Sequence, residues 1–342
     1  MTTDRTNRSP LADRSPLPHR GRALVLGVVL PLIMLAGATA LFLLWQDRMP
    51  QEVVLHWGTS GPTRFGSPTE HLLGVLIIAG LTLLITGVLS LALGRSAMAR
   101  RMTVGTSAGI AAFYAGLLLA TGYAHLDATD PSQVPAPGDG LALAAVAALA
   151  IGAAAAMAAG ADPDQPAQRA VPADAARLEL PADAAAVWIK QTQYTTRWIP
   201  VTIVVATVVP GVVLALVTDA WWLASLFALI ALSLVAFGSF QIRVDASGLT
   251  ARGVVGWPRQ HVPLNEVERA DVVHIDPFGE FGGWGLRTSV DGRTGVVTRK
   301  GEAIQVQRTG GRTFVATVDD AERGAALLNT LAERNSPGHR ER

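Results

Sequence analysis

Three side chains equipped for recognition chemistry stand close together in one Gly- and Pro-rich stretch: His56, Trp57 and Arg64. An imidazole can move a proton or ligate a metal, an indole can stack and donate, and a guanidinium can fork onto a carboxylate or phosphate. A second such group is Trp284 and Arg287, behind the flexible pair Gly282-Gly283. His71 and His125 are further nitrogen donors of the first region, with Asp127 and Asp130 as carboxylates. A zinc centre needs three or four protein ligands in defined geometry, and nothing in the spacing gathers them. We therefore read His56 as a hydrogen-bonded loop histidine and expect no metal and no cofactor. The chain has no Cys, which excludes thiol catalysis and thiolate sites. It also lacks a phosphate-cradling Gly-Lys-Ser/Thr loop and a His-Glu-x-x-His helix. The chemistry points to binding, with no catalytic residues and no enzyme.

The elements that must carry these residues are dominated by six apolar segments without Asp, Glu, Lys, Arg or His. They are Ala23–Trp45, Leu72–Leu93, Val104–Gly122, Gly140–Ala161, Trp198–Val217 and Trp221–Phe240. Each approaches the ~20 apolar residues that span a bilayer, so the lipid bilayer is the first partner expected. The absence of ionisable groups inside them argues against an ion-coupled carrier. Passage of a neutral solute is a less favoured reading, and an enzyme the least favoured. With a formal net charge of +1 there is no basic footprint for nucleic acid.

Positive residues orient the bundle. Arg5, Arg8, Arg14, Arg20, Arg22, Arg95, Arg100, Arg101, Arg169, Arg177, Lys190 and Arg197 flank one side, against Arg48 and Arg64 on the other. The positive-inside rule then makes both termini cytoplasmic. The abundance of Arg, Ala and Gly suggests a bacterial plasma-membrane protein. The expected organisation is a disordered N-terminus (1–22), a four-helix membrane domain (23–161) with an outer loop at 46–71, a cytoplasmic linker (162–197) and a transmembrane hairpin (198–240). A cytoplasmic β-domain (241–335) and a disordered tail (336–342) complete it. Ala144, Ala148 and Gly152 in the fourth span, and Gly105, Gly109 and Ala112 in the third, predict close helix packing inside one bundle. Pro31 and Pro210 predict kinks.

Past residue 240 the period changes from helix to strand. Ile242 and Val244 alternate with polar neighbours. Leu249–Val255, Ala270–Ile275, Gly285–Val290, Ala303–Arg308 and Thr313–Val318 are further strand candidates between Gly-rich turns. Asp319-Asp320 should cap a final helix with Ala325, Leu328 and Leu331 on one face. These elements predict a small barrel or roll closed by that helix. The glycines around Trp284 favour a core plug at a bulge over a binding loop.

Two family resemblances rest on these residues. Pro50, Val54-Leu55-His56-Trp57, Gly61 and Arg64-Phe65-Gly66-Ser67 between two spans resemble the bacterial family catalogued as domain of unknown function 1648. Members usually carry Pro-Asp after the first Gly, where this chain has Pro62-Thr63. Some members occur in immunity proteins against membrane-acting toxin peptides, so the resemblance implies an outer-surface sensor or immunity role through His56, Trp57 and Arg64. The second resemblance is to the bacterial pleckstrin-homology-like domain. Its carriers are Pro263-Leu-Asn-Glu266-Val267, Phe281-Gly-Gly-Trp284-Gly-Leu-Arg287 and Gly310-Gly311-Arg312-Thr-Phe-Val, followed by the terminal helix. It implies a PH-like fold. With 14 basic and 13 acidic side chains in residues 241–342, the sequence favours a membrane or cytoplasmic protein partner at this domain. The oligomeric state is not readable.

Overall fold

The structure is a computed structural model. It describes residues 17–58, 61–181, 184–192, 198–236, 238–254, 256 and 258–336. The expected disordered ends fall largely outside these residues. The chain divides into two compact units, a helical one at 17–162 with 213–222, and a second formed mainly by 163–212 and 223–342.

The helical unit begins with α1 (Arg20–Leu24), a π-helical turn (Val25–Val29) and α2 (Leu30–Trp45). Pro31 explains the wide turn. A proline cannot donate to the carbonyl four residues back, here Gly27. That carbonyl instead accepts from Ser107 Oγ at 2.7 Å. A β-hairpin follows, β1 (Val53–Gly58) and β2 (Gly61–Gly66). Next come α3 (Pro68–Ala92), α4 (Ala97–Ala124) and α5 (Gly138–Ala158). Serine side chains fix two of these starts: Ser67 Oγ accepts from Glu70 N at 3.1 Å and Ser96 Oγ from Ala99 N at 3.2 Å. The small-residue stripes meet each other. A Cβ on Gly152 would lie 2.9 Å from the Gly105 carbonyl oxygen, and one on Gly109 would lie 3.0 Å from that of Ala148. The α4 and α5 backbones touch because neither carries a side chain there.

The rest of the chain forms α6 (Trp198–Thr218), α7 (Trp221–Ala236) and two open sheets, with residues 213–222 at the α6–α7 turn grouped with the helical unit. Five helical stretches of the described chain are long and apolar enough to cross a membrane. The sixth expected span, α7, is 16 residues long and falls short of that length. The first sheet is antiparallel, β3 (Trp188–Thr192), β4 (Phe240–Asp245), β5 (Gly248–Gly253) and β6 (Arg259–Pro263) in sequence order. The second is built from β7 (Val267–Ile275), β8 (Gly285–Thr288), β9 (Thr294–Val297), β10 (Gly301–Arg308) and β11 (Arg312–Thr317). Its order is β7-β10-β11-β9-β8, with β9 and β11 parallel. A short helix α8 (Pro277–Phe281) precedes β8, and α9 (Ala321–Asn335) ends the described chain. Trp188, Phe240, Ile242, Leu249, Ile304, Phe314 and Leu328 share one core.

Three expectations need correction. No closed barrel forms among the described residues. The free edge of β7 is met by a side chain instead of a strand: Asn329 on α9 accepts from Ala270 N at 2.8 Å and donates to Ala270 O at 2.8 Å. The same amide donates to Ala176 O at 3.0 Å. Second, the stretch read as linker (162–197) supplies β3, whose Trp188 to Thr192 pair with Val244 to Phe240. Arg177 and Leu178 also bond to Glu333 and Thr330 of α9. The β-unit therefore begins near residue 163, and α6 and α7 are an insertion between two paired strands. Third, Asp320 occupies the N-cap of α9 but does not cap it. Its carboxylate accepts from Trp188 Nε1 at 3.4 Å and lies 3.6 Å from Lys190 Nζ.

Candidate functional site

The hairpin β1–β2 brings His56, Trp57 and Arg64 together, with His56 and Arg64 as a cross-strand pair. Val53 and Val54 turn inward and are buried. Val54 N–H donates to His125 Nε2 at 2.9 Å, and the other ring nitrogen, Nδ1, lies 2.7 Å from Thr121 O. Those partners assign the neutral tautomer with the proton on Nδ1. The Trp57 ring lies 5.9 Å from the His125 ring, and its Nε1–H donates to Val134 O at 3.1 Å. The hairpin is thus clamped to the end of α4 and to the loop before α5. His125, considered in sequence only as a possible ligand, is the centre of that clamp.

His56 and Arg64 have local partners. His56 Nδ1 sits 2.8 Å from Thr63 Oγ1, whose hydroxyl donates to the His56 carbonyl at 3.2 Å. Arg64 donates to Glu70 Oε1 at 2.8 Å. Asp127 pairs with Arg48, which holds its carboxyl below the usual carboxylate range. Asp130 accepts from Ser132 and Gln133. Among the described residues no three His, Asp or Glu side chains are grouped to hold a metal ion.

The clamp has a pH consequence. Burial pushes His125 below the ordinary imidazole range. A released hairpin lets it titrate near about 6.5, so the released state binds more protons as pH falls. Docking is then complete above about pH 6.5 and weakens below it. We expect the hydrogen-exchange protection of Val54 N–H to drop between about pH 7.5 and about pH 5, over the range in which imidazoles charge. Unchanged protection would mean that His125 stays neutral with the hairpin seated.

In the β-unit, Trp284 and Arg287 also come together. Trp284 lies edge-on to Phe278 at 4.9 Å and accepts at its carbonyl from Arg287 Nε at 2.8 Å. Trp284 is half-buried and Phe278 is exposed, so the pair sits on the surface, and Phe281 fills the local core instead. Gly282 and Gly283 take φ of 68° and 136° to make this turn. In the first sheet, the β4–β5 turn borders a groove of about 590 Å³ lined by Pro166, Arg169, Ser247, Asn265 and Asn335. Sequence reading missed this groove because Pro166 and Arg169 belong to the stretch taken as linker.

Comparison of the chain with protein-family models, curated proteins and solved structures finds no match.

Proposed function

We propose that this is a non-catalytic, multi-pass protein of a bacterial plasma membrane, with both termini cytoplasmic, whose β-unit docks a protein partner. Support for membrane embedding comes from the helix exteriors. Leu44, Ile77, Leu84, Leu149 and Leu216 are each at least 60% exposed. Apolar surface on that scale suits lipid and not water. In this reading the β-unit is a PH-like module.

The observation that carries the docking role is strand register. Thr192, where the chain leaves for α6, pairs with Phe240, where it returns from α7. Both tethers therefore leave one end of one sheet. The Asp245–Gly248 turn closes β4 and β5 at the opposite end, and the groove beside Ser247 opens there, away from the membrane. A photo-cross-linker replacing Arg169 on the groove wall should capture one stoichiometric protein in native membranes. The same probe at Val290, 95% exposed, serves as the solvent control. Identical adducts from both positions would sink the docking role.

A second reading has its own observation. The clamped hairpin presents exposed Arg64 and Phe65 on a rigid support, which suits an outer-surface sensor or toxin-peptide immunity protein.

A further inference from the structure

The register that ties the tethers to one end of the first sheet also builds a row of donors beside them. One residue in from the Thr192–Phe240 pair, Gln191 pairs with Gln241, Gln241 with Arg252, and Arg252 with Arg259. Paired residues project to the same face, and all four of these are exposed. Every one is a hydrogen-bond donor, and none is acidic. Arg252 and Arg259 stand directly opposite each other, an arrangement that like charges disfavour. Neither has a carboxylate within ion-pair distance among the described residues. The next residue after Gly253, Val254, is 68% exposed. Two adjacent arginines with no counter-charge, beside an exposed apolar side chain, are built for an anionic surface.

Chain connectivity says which surface. Phe240 lies four residues beyond the end of α7, so it is within about 14 Å of that helix end even if the link is fully extended. Gly253 pairs with Phe240. The second sheet contributes to the same end: Thr192 Oγ1 lies 2.5 Å from Thr298 Oγ1, just past β9, and β9 pairs with the residue after Trp284. The half-buried Trp284 and exposed Phe278 mark that end as well.

We propose that this end of the β-unit rests on the cytoplasmic leaflet, with Arg252, Arg259, Gln191 and Gln241 binding the phosphates of anionic phospholipids. The inference rests on the reading that α6 and α7 cross the membrane, and it fixes how the unit is held there. Its consequence is orientation: the groove beside Ser247 is held facing the aqueous side.

The absence of Cys allows a direct test on the full chain. A single nitroxide label at Val254→Cys, in nanodiscs of zwitterionic lipid with or without anionic lipid, reports its depth by collision with oxygen or with an aqueous nickel chelate. We expect the label in the headgroup layer only when anionic lipid is present. The R252Q/R259Q pair should lower the docked-to-undocked ratio about thirty-fold, as two charges near an anionic leaflet are expected to do. A label in water in both lipids, or one whose depth ignores both lipid charge and the arginines, overturns the proposal. A second label at Val209→Cys, on the exposed face of α6, separates the two readings. If it reports acyl-chain depth while Val254 stays in water, only the lipid contact fails. If it too is in water, the spanning reading fails and takes the lipid contact with it.

Discussion

Replacing Glu266 with alanine is expected to destabilise the β-unit by about 3–5 kcal/mol, the range for removing one partner of a buried ion pair. That is a large share of the roughly 5–15 kcal/mol that holds a domain folded. Glu266 sits in the turn between β6 and β7, 3% exposed. Its Oε2 accepts from Arg308 at 2.5 Å and lies 3.2 Å from Arg312, while Oε1 accepts from Gln165 N at 3.4 Å. Both arginines are themselves buried. The carboxylate therefore neutralises two desolvated cations and also fastens the 163–171 segment to the sheet joint. Alanine leaves the two buried cations without their carboxylate acceptor. Glutamine keeps the shape and an acceptor but not the charge, and should retain a minor part of the loss. Replacing Glu266, Arg308 and Arg312 together by apolar residues should restore most of it, since desolvation largely cancels the attraction. Denaturant midpoints of the full chain in detergent, followed through the buried Trp188, check the ordering. Equal midpoints for wild type and Glu266→Ala would show that the triad is solvated.

How legible these features are in the sequence depends on the range of the interaction that creates them. The apolar helices and the strand in the Glu52–Trp57 stretch follow from local period and composition, and so does the meeting of Gly105, Gly109 and Gly152. β3 does not. Trp188–Thr192 follows a Pro- and Ala-rich stretch, and its partner strand lies beyond α6 and α7, so nothing local distinguishes it from linker. β9 is hidden for a different reason. Thr294–Val297 is four residues long and fully buried, so it lacks the alternation that reveals a half-exposed strand. Barrel closure was expected from strand count, but the edge of β7 is decided by one Asn on a helix 59 residues away, a contact that periodicity cannot report. At the hairpin, His56 and Trp57 stand out by residue type, whereas the residues that seat the hairpin, His125 and Val134, belong to other elements. The groove is invisible to local reading because its walls come from four separate segments.

Arg100 is the clearest case of a charge whose role is packing, and its loss should be the most damaging single change in the helical unit. In sequence it is one of twelve residues that orient the bundle. In the structure its side chain is completely buried. Nε donates to Ala159 O at 2.9 Å, one terminal nitrogen to Gly94 O at 2.8 Å, and the other to Gly160 O and Ala161 O at 3.1 and 3.0 Å. Asp162 lies 3.8 Å away and accepts from Ala97 N, the first residue of α4. One guanidinium thus gathers the carbonyls that a helix leaves orphaned at its C-terminus, those just beyond α5, and fastens them to the α3–α4 turn. α5 packs on α4 largely by backbone approach, since two thirds of its residues are Ala or Gly, and Arg100 supplies the polar anchor at its end. Arg100→Met should cost about 3–5 kcal/mol, because several buried carbonyls and Asp162 lose a charged donor at once. Arg100→Lys keeps the charge but not the planar fork, and should recover less than half. Arg101, next in the chain and exposed, is the discriminating control. If both arginines only oriented the bundle, neutralising either would have the same small effect on thermal stability in detergent. The structure requires instead that Arg101→Gln leave the midpoint unchanged while Arg100→Gln lowers it and opens the 159–162 segment to protease. The positive-inside count and the packing role then become separable, because the rule counts both residues and the cap depends on one.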